Sequence, residues 1–200
     1  MARIEGTGAE GMSMNDLAAE ILYYPFAEPP RDGLRPAIFF DRDGVINRQI
    51  LGSYVTRWDE FHFLPGIAEA LSELARLPVP IIVISNQAGV AKGLMNTADL
   101  SAITHRFVAE LAQAGARIDA AYYCPHITEQ GCPCRKPKDE LLRRAARDWR
   151  LDLPRSVFIG DSERDAVAAR SAGCYPILLA GAHEIPQIPV LVRRALTERS

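Results

Sequence analysis

The 200-residue sequence contains no long apolar run; nothing in it approaches the ~18 consecutive apolar residues that suggest a membrane span. Its opening, MARIEGTGAEGMSMNDLAAE, has no basic start leading into an apolar stretch, so it does not read as a secretory signal. An excess of one charge sign is also missing. A net charge of −2 and a pI near 6.1 give no reason to expect nucleic acid or an anionic membrane as partner. Internal repeats and low-complexity tracts are absent. Cysteine is scarce, with four in all, and without a secretory signal they are not expected to pair as disulfides. These absences point to a cytoplasmic protein. Its 48% hydrophobic and 24% charged content is ordinary for a soluble chain with one proper core.

What is present is regular from residue 36 onward. Residues 1–35 mix glycine, proline and polar residues and read as an extension carrying at most one short helix, near Asn15–Tyr24. Residues 36–200 read as one domain. Short apolar runs at PAIFF, VPIIVIS, DAAYY, SVFIG and YPILLA are bounded by turn residues and have strand length. Between them apolar residues recur at helical spacing: Ile67 to Leu77, Leu100 to Leu111 from a Thr97 start, Leu141 to Trp149, and Ala166 to Ala172 ending at Gly173. Continuously apolar strands alternating with helices predict an α/β fold, a Rossmann-like parallel sheet covered on both faces. In such sheets the chemistry gathers beyond the carboxyl ends of the strands.

The polar residues of interest follow the strands. FFDRDGVIN puts Asp41 and Asp43 one residue apart at the end of an apolar run. In a strand those side chains face the same way, and two carboxylates held close repel. A divalent cation, a shared proton or exposure in a turn must offset the cost. Ser85 and Asn86 end the second run, and Asp161 follows Gly160 with Asp165 one helical turn on. Lys136 precedes the third helix. Each signal is weak alone, since strand-end Ser, Asn and Asp are common helix caps. All of them at one end of one sheet make a site.

In this order the residues resemble the four motifs of the haloacid dehalogenase superfamily of phosphotransferases, over roughly Pro36 to Leu179. The resemblance implies that Asp41 attacks phosphorus and carries the group as an aspartyl-phosphate, and that Asp43 works as general acid and base. It implies Mg²⁺ bound by the carboxylates of Asp41 and Asp161 and the backbone carbonyl of Asp43. Ser85, the amide region of Asn86 and Lys136 would cradle the phosphate. Arg135 either forks onto a phosphate or carboxylate or makes a surface ion pair.

A second signal is CPHITEQGCPC, where Cys124, His126, Cys132 and Cys134 give three thiolates and an imidazole. That is a closed four-ligand set suited to structural Zn²⁺, stiffening a loop that ends at Arg135 and Lys136. The zinc loop, with DRDGVIN, NQAGVAKG and CRKPK, resembles the capless bacterial branch of the superfamily. Its members hydrolyse small phosphorylated metabolites, and the resemblance implies as substrate the 7-phosphate of a heptose 1,7-bisphosphate, with histidinol phosphate as the alternative. A catalytically idle zinc-stabilised binding module is the alternative from another class. Asn47 to Leu64 is too short for a cap domain and reads as a loop beside an open site, with Trp58, Phe61 and Phe63 as its anchors. Cys174 reads as a small buried apolar residue.

Overall fold

A computed structural model describes residues 21–199. The elements in chain order are β1 (Leu22–Pro25), β2 (Ile38–Phe40), α1 (Ile67–Leu74), β3 (Ile81–Asn86), α2 (Thr97–Gln113), β4 (Ala120–Cys124), α3 (Glu140–Trp149), β5 (Val157–Gly160), α4 (Glu163–Ala172), β6 (Tyr175–Leu178) and α5 (Ile188–Glu198). The sheet order is β1-β4-β3-β2-β5-β6, with every neighbouring pair parallel except β1 with β4.

The apolar runs become strands because both of their faces are covered. Every residue of β2, β4 and β5 is buried, as are the first five of β3. Side-chain alternation splits them between two cores. Ile38, Phe40 and Val83 face one layer with Leu71, Phe107 and Val192, while Phe39, Ile82 and Phe158 face the other with Leu142 and Trp149. Truncating one such side chain, Leu71→Ala for instance, typically costs about 2–5 kcal/mol.

Register then fixes where the site lies. Phe40 pairs with Val83 on one side and Ile159 on the other, so β2, β3 and β5 end side by side. Local chemistry starts the helices at the same edge. Asn96 and Asp99 close a reciprocal capping box on α2, and Ser162 and Asp165 do so on α4. Gly173 ends α4 at φ 89°, a left-handed conformation that a side chain would oppose.

Two elements depart from the sequence reading. The helix expected near Asn15–Tyr24 lies mostly outside the described residues, and where the two overlap Leu22–Pro25 is a strand on the free edge of β4. Tyr23 stacks on Tyr122 with ring centroids 4.6 Å apart, and Tyr24 lies 5.7 Å from Tyr123, so tertiary contact decides the conformation. The unanticipated helix α5 packs on α1. The chain between Asn47 and Leu64 is a loop with one short 3₁₀ turn, Trp58–Glu60. It is anchored by stacks of Trp58 on Phe61 and Phe61 on Phe107, at 5.1 and 5.3 Å. Cys174 is buried. Among the described residues no helix is long and apolar enough to cross a membrane.

Candidate active site

Asp41 leaves the sheet immediately after β2, its N–H still donating to the Ile159 carbonyl at 2.8 Å. Its carboxylate meets the Lys136 ammonium, with Oδ1 3.0 Å from Nζ. The same ammonium lies 2.6 Å from Asp165 Oδ1 and donates to the Ile84 carbonyl at 3.0 Å. All three of its protons are thereby placed. Lys136 is only 3% exposed, and burial alone would lower its pKa; Asp41 and Asp165 reverse that and hold it raised.

The three carboxylates around this lysine differ in what they have left to offer. Asp165 Oδ2 accepts from the N–H groups of Asp161 and Ser162, at 3.3 and 3.1 Å, and from Ser162 Oγ at 2.6 Å. With Oδ1 on Lys136, most of its acceptor capacity is used. Burial would raise its pKa, but Lys136 and Ser162 hold it below the usual carboxylate range. Asp161 has no ion-pair partner among the described residues, and burial with the neighbouring Asp165 charge pushes its pKa up. Burial also pushes Asp41 up to about 6, helped by the Asp165 and Asp43 charges, against the pull of Lys136. Oxygens of Asp41, Asp161 and Asp165 all lie within 4.8 Å of one another. Asp161 is therefore the carboxylate left without a cation in contact, and together with Asp41 it can hold a hard cation. Gly44, at φ 90°, makes room for the Asp161 carboxylate, which a Cβ there would overlap.

Asp43 is held differently. The strand ends at Phe40, so Asp41 and Asp43 are not the strand neighbours that alternation suggests; Asp43 sits in a turn closed by Gly44 N–H donating to the Asn47 carbonyl at 2.8 Å. Arg42 Nη2 donates to both Asp43 oxygens at 2.9 and 3.0 Å, Asn47 Nδ2 to Oδ1 at 2.9 Å and Gln87 Nε2 to Oδ2 at 2.7 Å. Burial would raise this carboxyl, yet Arg42 and the two amides hold it below its ordinary value. Arg42 is itself fully buried, 6.0 Å from the ring centroids of both Phe61 and Tyr123. Nothing in the sequence alone marks a role for Arg42, Asn47 or Gln87. Their only signal was adjacency, since all three stand within the quoted motifs.

Ser85 is buried at the end of β3, its hydroxyl 3.3 Å from Gln87 Nε2. Asn86 uses its side chain on the Lys136 backbone: Nδ2 donates to the carbonyl and Oδ1 accepts from the N–H, each at 3.0 Å. Above these groups opens a cleft of about 260 Å³, with Tyr54, Lys92, Arg135 and Arg164 among its walls.

Beside the cleft, Cys124, His126, Cys132 and Cys134 converge and all are buried. Cys124 Sγ lies 3.5 Å from His126 Nδ1 and 3.6 Å from Cys132 Sγ, while Cys134 Sγ lies 3.3 Å from His126 Nδ1 and 3.5 Å from Cys132 Sγ. A tetrahedron with metal–sulfur bonds of about 2.3 Å has edges of about 3.8 Å, close to these separations. The thiols also cannot ionise together unaided. Contact with Cys134 pulls Cys124 down to about 6, while Cys132, desolvated, and Cys134, beside the Cys124 sulfur, are pushed up. Arg135 Nη1 donates to the His126 carbonyl at 3.1 Å, and Lys138 Nζ to those of Gly131 and Cys132 at 2.7 and 2.6 Å. The sulfur cluster and the Lys136 loop are thus one tied unit.

The buried lysine held between Asp41 after β2 and Asp165 in the first turn of α4 suits a phosphate-handling site, and a family profile described as HAD-hydrolase-like matches residues 133–187. Over 162 residues the chain is 40% identical to D-glycero-alpha-D-manno-heptose-1,7-bisphosphate 7-phosphatase of Mycobacterium bovis, covering 76% of this chain and 83% of that protein. Over 142 residues it is 42% identical to the D-glycero-beta-D-manno-heptose-1,7-bisphosphate 7-phosphatase of Bordetella bronchiseptica, covering 71% and 79%. The crystal structure of the D,D-heptose 1,7-bisphosphate phosphatase from B. bronchiseptica, complexed with magnesium and phosphate, superposes with a TM-score of 0.73 at 34% identity, over 82% of this chain and 99% of that one. A HAD-like phosphatase fold from Mesorhizobium loti superposes with a TM-score of 0.74 at 23% identity, over 88% and 94%. The chain belongs to the haloacid dehalogenase superfamily, as a phosphatase of the family that includes these heptose bisphosphate enzymes.

Proposed function

We infer that the chain is a Mg²⁺-dependent phosphomonoesterase that removes the 7-phosphate of D-glycero-D-manno-heptose 1,7-bisphosphate through an aspartyl-phosphate. The observation that carries the reading is the Lys136 ammonium clamped between Asp41 and Asp165, with Asp161 beside them under an open cleft. The heptose substrate is supported by the names of relatives at 40–42% identity. A cytoplasmic location agrees with that reading.

Asp41 is the nucleophile. Lys136 orients its Oδ1, leaving the other carboxylate oxygen for in-line attack on phosphorus. Asp41 and Asp161, with the Asp43 carbonyl, would hold Mg²⁺, which when bound supplies charge neutralisation for the transferred group. The Ser85 hydroxyl would bind the same group with the Asn86 main chain, and the Lys136 ammonium would add its charge from between Asp41 and Asp165. Asp43 is the proton carrier. Arg42, Asn47 and Gln87 keep it a carboxylate in the resting site, the form that takes a proton from attacking water. Substrate phosphate brings negative charge nearby, which favours the protonated form needed by the leaving alkoxide. Cys124, His126, Cys132 and Cys134 would hold Zn²⁺, which supplies rigidity rather than reactivity because no ligand position remains open.

A panel of phosphorylated metabolites ranked by kcat/KM tests the assignment, with the heptose bisphosphate expected at the top. Faster turnover of histidinol phosphate overturns the substrate. No hydrolysis of any phosphomonoester, aryl phosphates included, overturns the reaction.

A further inference from the structure

Four cationic side chains line the catalytic cleft: Lys92, Arg135, Lys136 and Arg164. Three of them have work inside the fold. Lys136 bridges Asp41 and Asp165, the Lys92 ammonium lies 5.1 Å from the Tyr54 ring centroid, and Arg135 donates to the His126 carbonyl at 3.1 Å. Arg164 is exposed, with no hydrogen-bond or ion-pair partner among the described residues. The adjacent acid is already used, since Glu163 pairs with Arg170 at 2.8 Å.

Nothing in the helix calls for a cation at this position. Arg164 is the second residue of α4, in the first turn, where unpaired N–H groups favour negative charge and disfavour positive. Ser162 and Asp165 close the capping box without it. Its charge acts on the nearby Asp161 carboxyl, yet no hydrogen bond or close ion pair holds the guanidinium, which leaves its N–H groups free for an arriving anion. Arg164 also stands between two cavities. A second space of about 280 Å³, under the loop of the sulfur cluster, shares Arg135, Lys136 and Arg164 with the catalytic cleft. The two spaces therefore adjoin at Arg135, Lys136 and Arg164.

We propose that Arg164 determines specificity by binding, together with Arg135, the non-reacting phosphate of a bisphosphate substrate in the adjoining cavity. The inference rests on the phosphatase reading above. A guanidinium presents paired N–H groups that match two phosphate oxygens, which an ammonium cannot do.

The test compares wild type, Arg164→Gln and Arg164→Lys on sugar bisphosphates and on the monophosphates that lack the distal group. The ratio of kcat/KM for bisphosphate over monophosphate is expected to fall about 10- to 100-fold in Arg164→Gln, chiefly through KM, and less in Arg164→Lys. Circular dichroism and thermal melting establish that both variants are folded. An unchanged ratio overturns the inference, as does an equal loss on both substrate types, which places Arg164 at the transferred phosphate or at Asp161. Efficient hydrolysis of the heptose bisphosphate with a ratio indifferent to Arg164 overturns this inference alone. Loss of selectivity on another bisphosphate, with the heptose compound ignored by wild type, overturns only the substrate reading. A wild type with no preference for any bisphosphate overturns both.

Discussion

Asn86 and Lys136, fifty residues apart, clasp each other through two hydrogen bonds of 3.0 Å, side-chain amide to peptide. The end of β3 thereby fixes the backbone of the loop whose lysine ammonium reaches Asp41. Two lost hydrogen bonds cost about 1–3 kcal/mol together. Asn86→Ala is expected to lower stability by that amount in urea melts and to reduce kcat at least tenfold, because the ammonium is displaced from Asp41. Full kcat with reduced stability would limit the clasp to a structural role.

The two aspartates of DRDG are expected to separate kinetically. Asp41→Asn leaves the fold intact but offers phosphorus a poor nucleophile, so less than a few per cent of wild-type kcat should remain. Asp43→Asn should be severe as well, yet still form the covalent intermediate. Rapid-quench phosphate labelling distinguishes them: label on the Asp43→Asn protein and none on Asp41→Asn. Normal turnover by Asp41→Asn would end the covalent mechanism.

Acidity offers a readout that needs no substrate. Asp41 has a folded pKa of about 6, against about 3.9 for an unfolded aspartate. Between those values the folded state keeps a proton that the unfolded chain has released, so this group makes stability fall as pH rises from about 4 through about 6. Asp43 and Asp165, with lowered pKa values, act oppositely: their contribution is present above about 4 and is lost as pH falls through their folded values. Metal-free protein is therefore expected to lose Tm between pH 5 and 7, and Asp41→Asn to flatten that slope. Magnesium, competing with the proton, should raise Tm more at pH 7.5 than at pH 5. Equal magnesium stabilisation at both pH values would remove Asp41 from the metal site.

Freshly purified protein handled without chelator is expected to carry one zinc per chain by elemental analysis. Structural zinc is worth roughly 10–16 kcal/mol to small peptides, but this sheet has cores of its own on both faces. Cys132→Ser should therefore release the metal and lower Tm without unfolding the sheet. It should also raise KM, since Arg135 and Lys138 hang on the carbonyls of that loop. Absence of zinc in the wild type defeats the assignment.

Strands β2 to β6, four helices and the strand-end aspartates are legible because parallel strands and amphipathic helices write their apolar pattern into the chain. Strand β1 is not, because LYYP has no alternation of its own and becomes a strand through tyrosine stacking on β4. Within the site, residue types named the groups but not their partners. Asp165 was visible as a helix-start acid, yet only the fold reveals it as the second carboxylate on Lys136. Arg42 lay between two catalytic letters, and nothing local tells that an arginine there is fully buried and grips Asp43.

The antiparallel pairing of Leu22 with Tyr123 has a consequence in time. About a hundred residues separate the two partners, and ribosomes add roughly 5–20 residues per second. The first strand must therefore wait roughly 5–20 s after its own synthesis before its docking edge exists. During that interval β2 and β3 can already pair, since both are complete by residue 86. The nascent sheet therefore grows outward from its catalytic middle: β1 joins only once β4 is made, and β5 and β6 complete the other side later still.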